Sequence, residues 1–493
     1  MNNILRRGRL ESNEDAEVLN YTSSKDADRW IFEADLAVDN AHVIMLAETG
    51  IITRDECTLI LSTLDEIEQE GYDKLDMSYE DIHMSIEAKL IEKVGRDTGG
   101  RMHSARSRND EVATCIRLAL RDELLTLMQN VIGLRKAMLE LAPKHKETLI
   151  PGFTHLQHAQ PTTLAHHLIA HHDALARDSQ RLWGAYHRTN QSPLGAAAFA
   201  STGFDINRDR TCELLGFDGL VENSMDAVST RDFIVETTSV FSNIMTNLSR
   251  LAEELILWSS EEFGLIELDD SFCSTSSIMP QKKNPDTAEL MRAKTGTVYG
   301  CLMSVLSITK ALPMSYNRDL QEVTPHLWRA TSATSGSVNI AKGIISTMQI
   351  NEEKMSSLAG AGFSTATELA DTIVRTTKLP FRTAHQIVAT LAKGNEFTLN
   401  ETDRIAYEIT GMKLSEEGLS QELFEGALDI MENVQRRSVK GGPSPREVKR
   451  MIEDRNYHLM HDIDIVLKKL NSVQDSIKRL EDVKAVYITR GKK

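Results

Sequence analysis

Residues 274–290 read STSSIMPQKKNPDTAEL, with adjacent serines at 276 and 277, lysines at 282 and 283, and an Asn-Pro pair ahead of a helical run. Asn284 suits an N-cap, Pro285 the first helical position and Asp286 the positive end of the helix dipole, so a helix is expected to begin near Pro285. Pro280 restrains Met279 and supplies no donor, which makes 276–283 a loop. A loop ending on a helix N-terminus, with free N–H groups and lysine ammonium groups, is a place to hold a carboxylate or phosphate. The plainer alternative is a solvated loop before a capped helix.

Other polar clusters sit where long helices are expected to join. GGRMHSARSRNDEVAT (99–114) sets Arg101, Arg106 and Arg108 beside Ser107, Asn109 and Asp110. Arginine grips carboxylates bidentately, while Ser and Asn offer neutral hydrogen bonds; a solvated turn capped by Asn109 or Asp110 is the alternative. PGFTHLQHAQPTT (151–163) places Thr154, His155, Gln157 and Gln160 before Pro161, read as a helix start. A histidine there either moves protons near neutral pH or serves as a hydrogen-bonded structural residue. MSYNRDLQE (314–322) is a fourth, weaker cluster. In AHHLIAHHD (165–173), His167 and His171 are spaced i, i+4 as metal ligands would be, but no Glu-x-x-His partner motif accompanies them.

The elements that must position these clusters are long helices. Residues 226–263 contain neither Gly nor Pro, and Ile234, Phe241, Ile244, Leu248, Leu251, Leu255 and Trp258 recur at helical steps. One helix over that span would exceed about 50 Å, which calls for a bundle whose remaining apolar surface is buried against other subunits. Similar runs at 112–141, 161–186, 285–312 and 322–348 complete a central bundle of five long helices. Shorter elements are expected on either side, with three units at 1–110, 111–359 and 360–493. No short repeat points to a solenoid.

The bulk numbers agree with a helical protein: 493 residues, 41% hydrophobic, 5% aromatic and 26% charged. A net charge of −16 speaks against a general nucleic-acid partner, so any anion site must be local. Five scattered cysteines without CxxC pairing suggest a reducing, cytoplasmic setting. No apolar signal core or membrane-length run is visible.

The order RSRND, THLQHAQPT, SSIMPQKKNPD, separated by long helices, resembles the fumarase/aspartase superfamily; SSxMPxKxNP is specific to it. RSRND, YNRDLQE, SPLGAAAFA (192–200), NSMDAVSTRDF (223–233) and LPFRTAH (379–385) resemble the argininosuccinate lyase family within it. The resemblance covers roughly 35–448. It implies an all-α, three-domain fold, a homotetramer with a twenty-helix core and active sites shared between three subunits. It also implies cofactor-free β-elimination of argininosuccinate to arginine and fumarate, the last step of arginine biosynthesis, with no metal. By motif, Ser276 resembles the proton-abstracting serine and Lys282 and Asn284 the groups that hold the succinyl carboxylates. His155 resembles the second proton-transfer residue, and Glu289 the carboxylate that orients it. Ser107, Arg108, Asn109, Thr154, Tyr316 and Gln321 fall on substrate-binding positions. Rival readings are a related lyase acting on adenylosuccinate, aspartate or malate, a catalytically silent crystallin-like protein, and a metal-binding bundle.

The chain departs from that pattern at several points. Thr275 stands where a glycine is usual, RSRNDQ becomes RSRNDE at Glu111, and VATD becomes VATC at Cys115. A substrate-contacting serine aligns weakly with Asp39. YNRDLQEDK becomes YNRDLQEVT, which replaces a carboxylate-binding lysine with Thr324. Substrate affinity is where these changes are expected to act.

Overall fold

The computed structural model describes residues 15–394 and 396–490; the opening segment read above for a signal core lies largely outside them. The helices that matter here are α1 (Phe32–Glu48), α2 (Ile82–Val94), α3 (Arg108–Leu141), α4 (Leu164–Thr189), α5 (Asp232–Ser259), α6 (Asp286–Thr309), α7 (Val323–Thr347) and α8 (Pro445–Arg490). The five long helices α3 to α7 pack on one another as a bundle. Arg117, near the start of α3, donates to the carbonyls of Arg188 and Thr189 at the end of α4, so these two run antiparallel. Its guanidinium also stacks 3.9 Å over Phe233, at the start of α5. The starts of α3, α5 and α7 thus share one end of the bundle with the ends of α4 and α6.

At the other end lie three small antiparallel ladders: β1 (Leu149–Thr154) with β2 (Gln157–Thr163), Ile266–Glu267 with Gln349–Ile350, and β3 (Ser274–Thr275) with β4 (Lys283–Asn284). The chain reaches them at the ends of α3, α5 and α7 and leaves them at the starts of α4 and α6. At 1.5 Å per residue the 34-residue α3 separates the two ends by about 50 Å.

Several local expectations are corrected. The 226–263 run is not one helix. Asn223 caps a short helix, Ser224–Ser229, the chain extends at Thr230, and α5 starts at Asp232, giving 28 residues and about 42 Å. The apolar stripe from Ile234 to Trp258 is buried within this one chain rather than left for other subunits. Pro161 lies in β2; α4 begins three residues later, where the Thr163 hydroxyl accepts the His166 N–H. Pro161 is instead paired with Pro151 in the β1–β2 ladder.

The largest correction is α8. Its 46 residues form the longest helix described, in a region expected to hold short elements. Ile452, Leu459, Val466, Val473 and Leu480 repeat every seven residues and are buried in the main core. A second, smaller core joins residues such as Leu369, Ile373, Ile387, Leu391, Leu414 and Phe424. Among the described residues no helix is long and apolar enough to cross a membrane.

Candidate active site

β3 and β4 close residues 276–282 into a hairpin loop set on the N-terminus of α6. Asn284 pairs with Ser274 in this ladder and does not cap the helix; Pro285 takes the cap position without a side-chain bond. The reason is competition: the Asn284 side-chain oxygen accepts from the Lys282 ammonium instead. Ser276 Oγ accepts N–H bonds from Ile278 (3.3 Å) and Met279 (3.0 Å). Two amide dipoles aimed at one hydroxyl oxygen favour negative charge on it, which is what a serine base requires. Lys283 is paired with Glu267 and Asp270 at 3.1 and 2.7 Å, whereas Lys282 has no carboxylate partner among the described residues. Its charge is available to a ligand.

The His155 segment is a two-residue hairpin between β1 and β2. Thr154 pairs with Gln157, and His155 and Leu156 both take φ of 56°. Consecutive left-handed residues fit the twist of a tight hairpin but cost about 1–2 kcal/mol each without glycine. The strain holds Thr154 and His155 at an exposed tip. Glu289 is exposed one turn into α6. Among the described residues no hydrogen bond joins His155, Ser276 and Glu289 within one chain.

The remaining residues gather about a helix length away. A cavity of about 200 Å³ is lined by Arg108 and Asn109 of α3 and by Tyr316, Gln321 and Thr324. Arg108 pairs with Glu80 (2.9 Å) and Asp81 (3.1 Å), and Gln321 donates to the Thr22 carbonyl at 3.0 Å. Asn109 donates to the Ala198 carbonyl at 3.0 Å. Burial pushes the Tyr316 phenol up, keeping it a neutral donor. Ser107 is the N-cap of α3: its Oγ accepts the Asn109 N–H and Asp110 returns a bond to the Ser107 N–H. That capping box assigns the cap to Ser107 rather than to Asn109 or Asp110.

Residues that the sequence reading passed over complete this cavity: Ser24, Asp28, His83, Arg231 and Arg318. Ser24, not the position of Asp39, is the serine facing the space. It donates to Asp28 at 2.6 Å, while Asp39 is sealed behind in an ion pair with Arg106. Burial raises the Asp28 carboxyl to about 6. Arg231 is buried and, among the described residues, bonds only to the Val228 and Thr230 carbonyls and leaves Nε unpartnered. Burial lowers it to about 10, and an uncompensated guanidinium on a cavity wall favours an anionic ligand. The TRD triplet within 223–233 was the available signal. Thr324 is buried and donates to the Gln321 carbonyl at 2.8 Å, so it brings no charge.

His167 and His171 meet Glu254 of α5, whose Oε2 lies 2.7 Å from each ring Nε2. The acid comes from another helix, which no local motif could reveal. These hydrogen bonds hold the Glu254 carboxyl well below the usual range despite its burial.

Known proteins share the fold and much of the sequence. The chain matches the lyase family over residues 8–300 and the argininosuccinate lyase C-terminal family over residues 363–435. It is 58% identical to the argininosuccinate lyase of Methanococcoides burtonii, over 97% of this chain and 98% of that one. For the Methanosarcina barkeri protein of the same name the identity is 61%, covering 93% and 94%. Among solved structures, EDDS lyase in complex with formate superposes with a TM-score of 0.86 at 34% identity, covering 99% of both chains. Class II fumarase from Schistosoma mansoni shares the fold with a TM-score of 0.69, at 16% identity and over 82% and 90% of the chains. The long-helix bundle, its polar junctions and near full-length identity agree: this chain belongs to the argininosuccinate lyase family.

Proposed function

We propose that the protein splits argininosuccinate into arginine and fumarate by general acid/base β-elimination. The proton to be removed lies on carbon beside a carboxylate, and its loss puts a second negative charge on that group. A base, cationic stabilisation and an acid for the departing nitrogen are therefore needed. Ser276 is the base; the observation that carries this reading is its Oγ receiving two backbone N–H bonds in the same loop as Lys282, which has no carboxylate partner among the described residues. Lys282 and Asn284 hold the succinyl carboxylates. His155, oriented by Glu289, delivers a proton on the leaving side with Thr154 beside it. Ser107, Arg108, Asn109, Tyr316 and Gln321 bind the remainder of the substrate. This chemistry calls on no metal or organic cofactor.

In one chain these parts lie at opposite ends of the bundle, so a complete site needs other copies. We infer a homotetramer in which each site draws on three subunits. Support comes from α6, which exposes Tyr299, Met303 and Leu306 on one face at helical spacing, as a helix awaiting a partner would. Of the boundaries at 110 and 360, the second is supported by the small separate core from Leu369 to Ala427, while residues before 110 and those of α8 both join the main core.

Fumarate release, followed by ultraviolet absorbance, tests the activity with argininosuccinate and, in parallel, adenylosuccinate, aspartate and malate. Turnover of argininosuccinate alone, abolished by Ser276→Ala, is expected. Turnover of a different substrate, or an unaffected Ser276→Ala variant, would refute the reading.

A further inference from the structure

Behind the cavity wall lies a sealed ionic cluster that the elimination scheme does not use. His83, in the first turn of α2, is buried and presents an edge to the cavity. Its Nδ1 is 2.8 Å from Asp35 Oδ2 and 3.8 Å from Glu111 Oε1. Its Nε2 is buried with no partner among the described residues. Glu111 Oε1 also lies 2.9 Å from Arg106, which pairs with Asp39 as well. One turn further along α3, the Cys115 thiol donates to the other oxygen of Asp35 at 3.4 Å. Asp35 thus bridges Cys115 and His83, and Glu111 closes the cluster onto Arg106.

We propose that Glu111 is a positioning residue that, together with Asp35, fixes the His83 ring in the wall of the substrate cavity, and that Glu111 and Cys115 form a coupled pair. The inference rests on the lyase reading above. Its logic is charge and space. Three carboxyls (Asp35, Asp39, Glu111) face two cations (Arg106, His83) in a dry pocket. Burial pushes both Asp39 and Glu111 upward, so the cluster gives up its protons less readily than free carboxyls do. An acid at 115 in addition to Glu111 would press a fourth carboxylate against Asp35. An acid at 115 in place of Glu111 keeps the count. Positions 111 and 115 thus reach one cluster from successive turns of α3. The groups facing His83 are Asp35 and Asp39 from α1, Asp28 and Asp81 from the segments flanking it, Glu111 from α3 and His103 from the turn before α3, with Arg106 behind Asp39 and Glu111. Burial works against the His83 charge, but Asp35, Glu111 and Asp81 outweigh it and raise the ring to about 10.

The test compares the full-length wild type with Glu111→Gln, Cys115→Asp and the double variant. The readouts are kcat and KM for fumarate release across pH 6–9 and the melting temperature. Each single variant is expected to lose about tenfold or more in kcat/KM with a displaced pH profile, while the double returns to within about threefold of wild type and regains its profile. Losses that multiply in the double, or a Glu111→Gln variant matching wild type, would overturn the proposal. Singles that lose melting temperature while keeping the wild-type pH profile would overturn it too, since that is the mark of a merely structural role. If a single fails to fold, the double decides: folded and active supports coupling, unfolded or inactive refutes it. A wild type that releases no fumarate would sink the lyase reading instead, and the melting temperatures of the four proteins would still report whether 111 and 115 are coupled.

Discussion

The two ends of the bundle are built differently. Around Arg108, Tyr316 and Gln321 the chain encloses a cavity and braces its wall with buried ion pairs, so that end is finished within one copy. The end with Ser276 and His155 consists of short ladders and exposed tips, with few side-chain partners and a strained hairpin. The contrast teaches where order comes from. The groups proposed to bind substrate are fixed by this chain's own packing, whereas those proposed to do the chemistry are exposed at the opposite end of the bundle.

The comparison breaks most visibly in a mixing experiment. Ser276→Ala and Arg108→Ala should each lose about 10²–10⁴-fold in activity, one at each end. Denaturing and refolding the two together should restore activity far above either parent, because some mixed sites take an intact Ser276 loop and an intact cavity from different chains. A mixture no better than its parents would mean that both clusters serve one chain.

Next in size is the brace itself. Arg106→Met leaves Asp39 and Glu111 buried without their guanidinium, and should lower unfolding free energy by about 3–5 kcal/mol in urea titration. Ser276→Ala, at the exposed end, should leave stability within about 0.5 kcal/mol of wild type. Equal effects at the two ends would erase the distinction.

A smaller, pH-dependent effect sharpens it. The Asp28 carboxyl is raised from 3.8 to about 6 by burial, so between those values the folded state keeps a proton that the unfolded chain has released. Its contribution to stability is present below about pH 4 and is lost as pH rises through 6. Asp28→Asn removes this titration. The variant should match wild type near pH 4 and exceed it at pH 7 by up to about 3 kcal/mol, read from melting temperatures at both pH values. A constant difference across the range would contradict the assignment.

Much of this was legible along the chain. Apolar steps of three and four marked all five bundle helices, because a helix seam is a local pattern. Clusters of Ser, Arg, Asn and His at their junctions stood out against bland cores. The heptad in α8 is equally readable from Ile452 to Leu480. Pro161 and Asn284 misled for a common reason: each suits a helix start, but a neighbouring strand pairing claimed the backbone first. Asp39 was mistaken for a site position because a short alignment cannot tell a cavity wall from the ion pair behind it.

The sequence by itself determined the helices, the family and the chemical types available for catalysis, since periodicity and motif spacing are properties of neighbouring residues. Only the tertiary structure decided that Ser24 and Arg231 face the cavity, that Glu254 meets two histidines, that Glu111 and Cys115 share one buried cluster, and that the chemical and binding groups stand about 50 Å apart in one chain. Burial and charge balance depend on which distant segments close over a side chain, and a linear pattern carries no record of that closure.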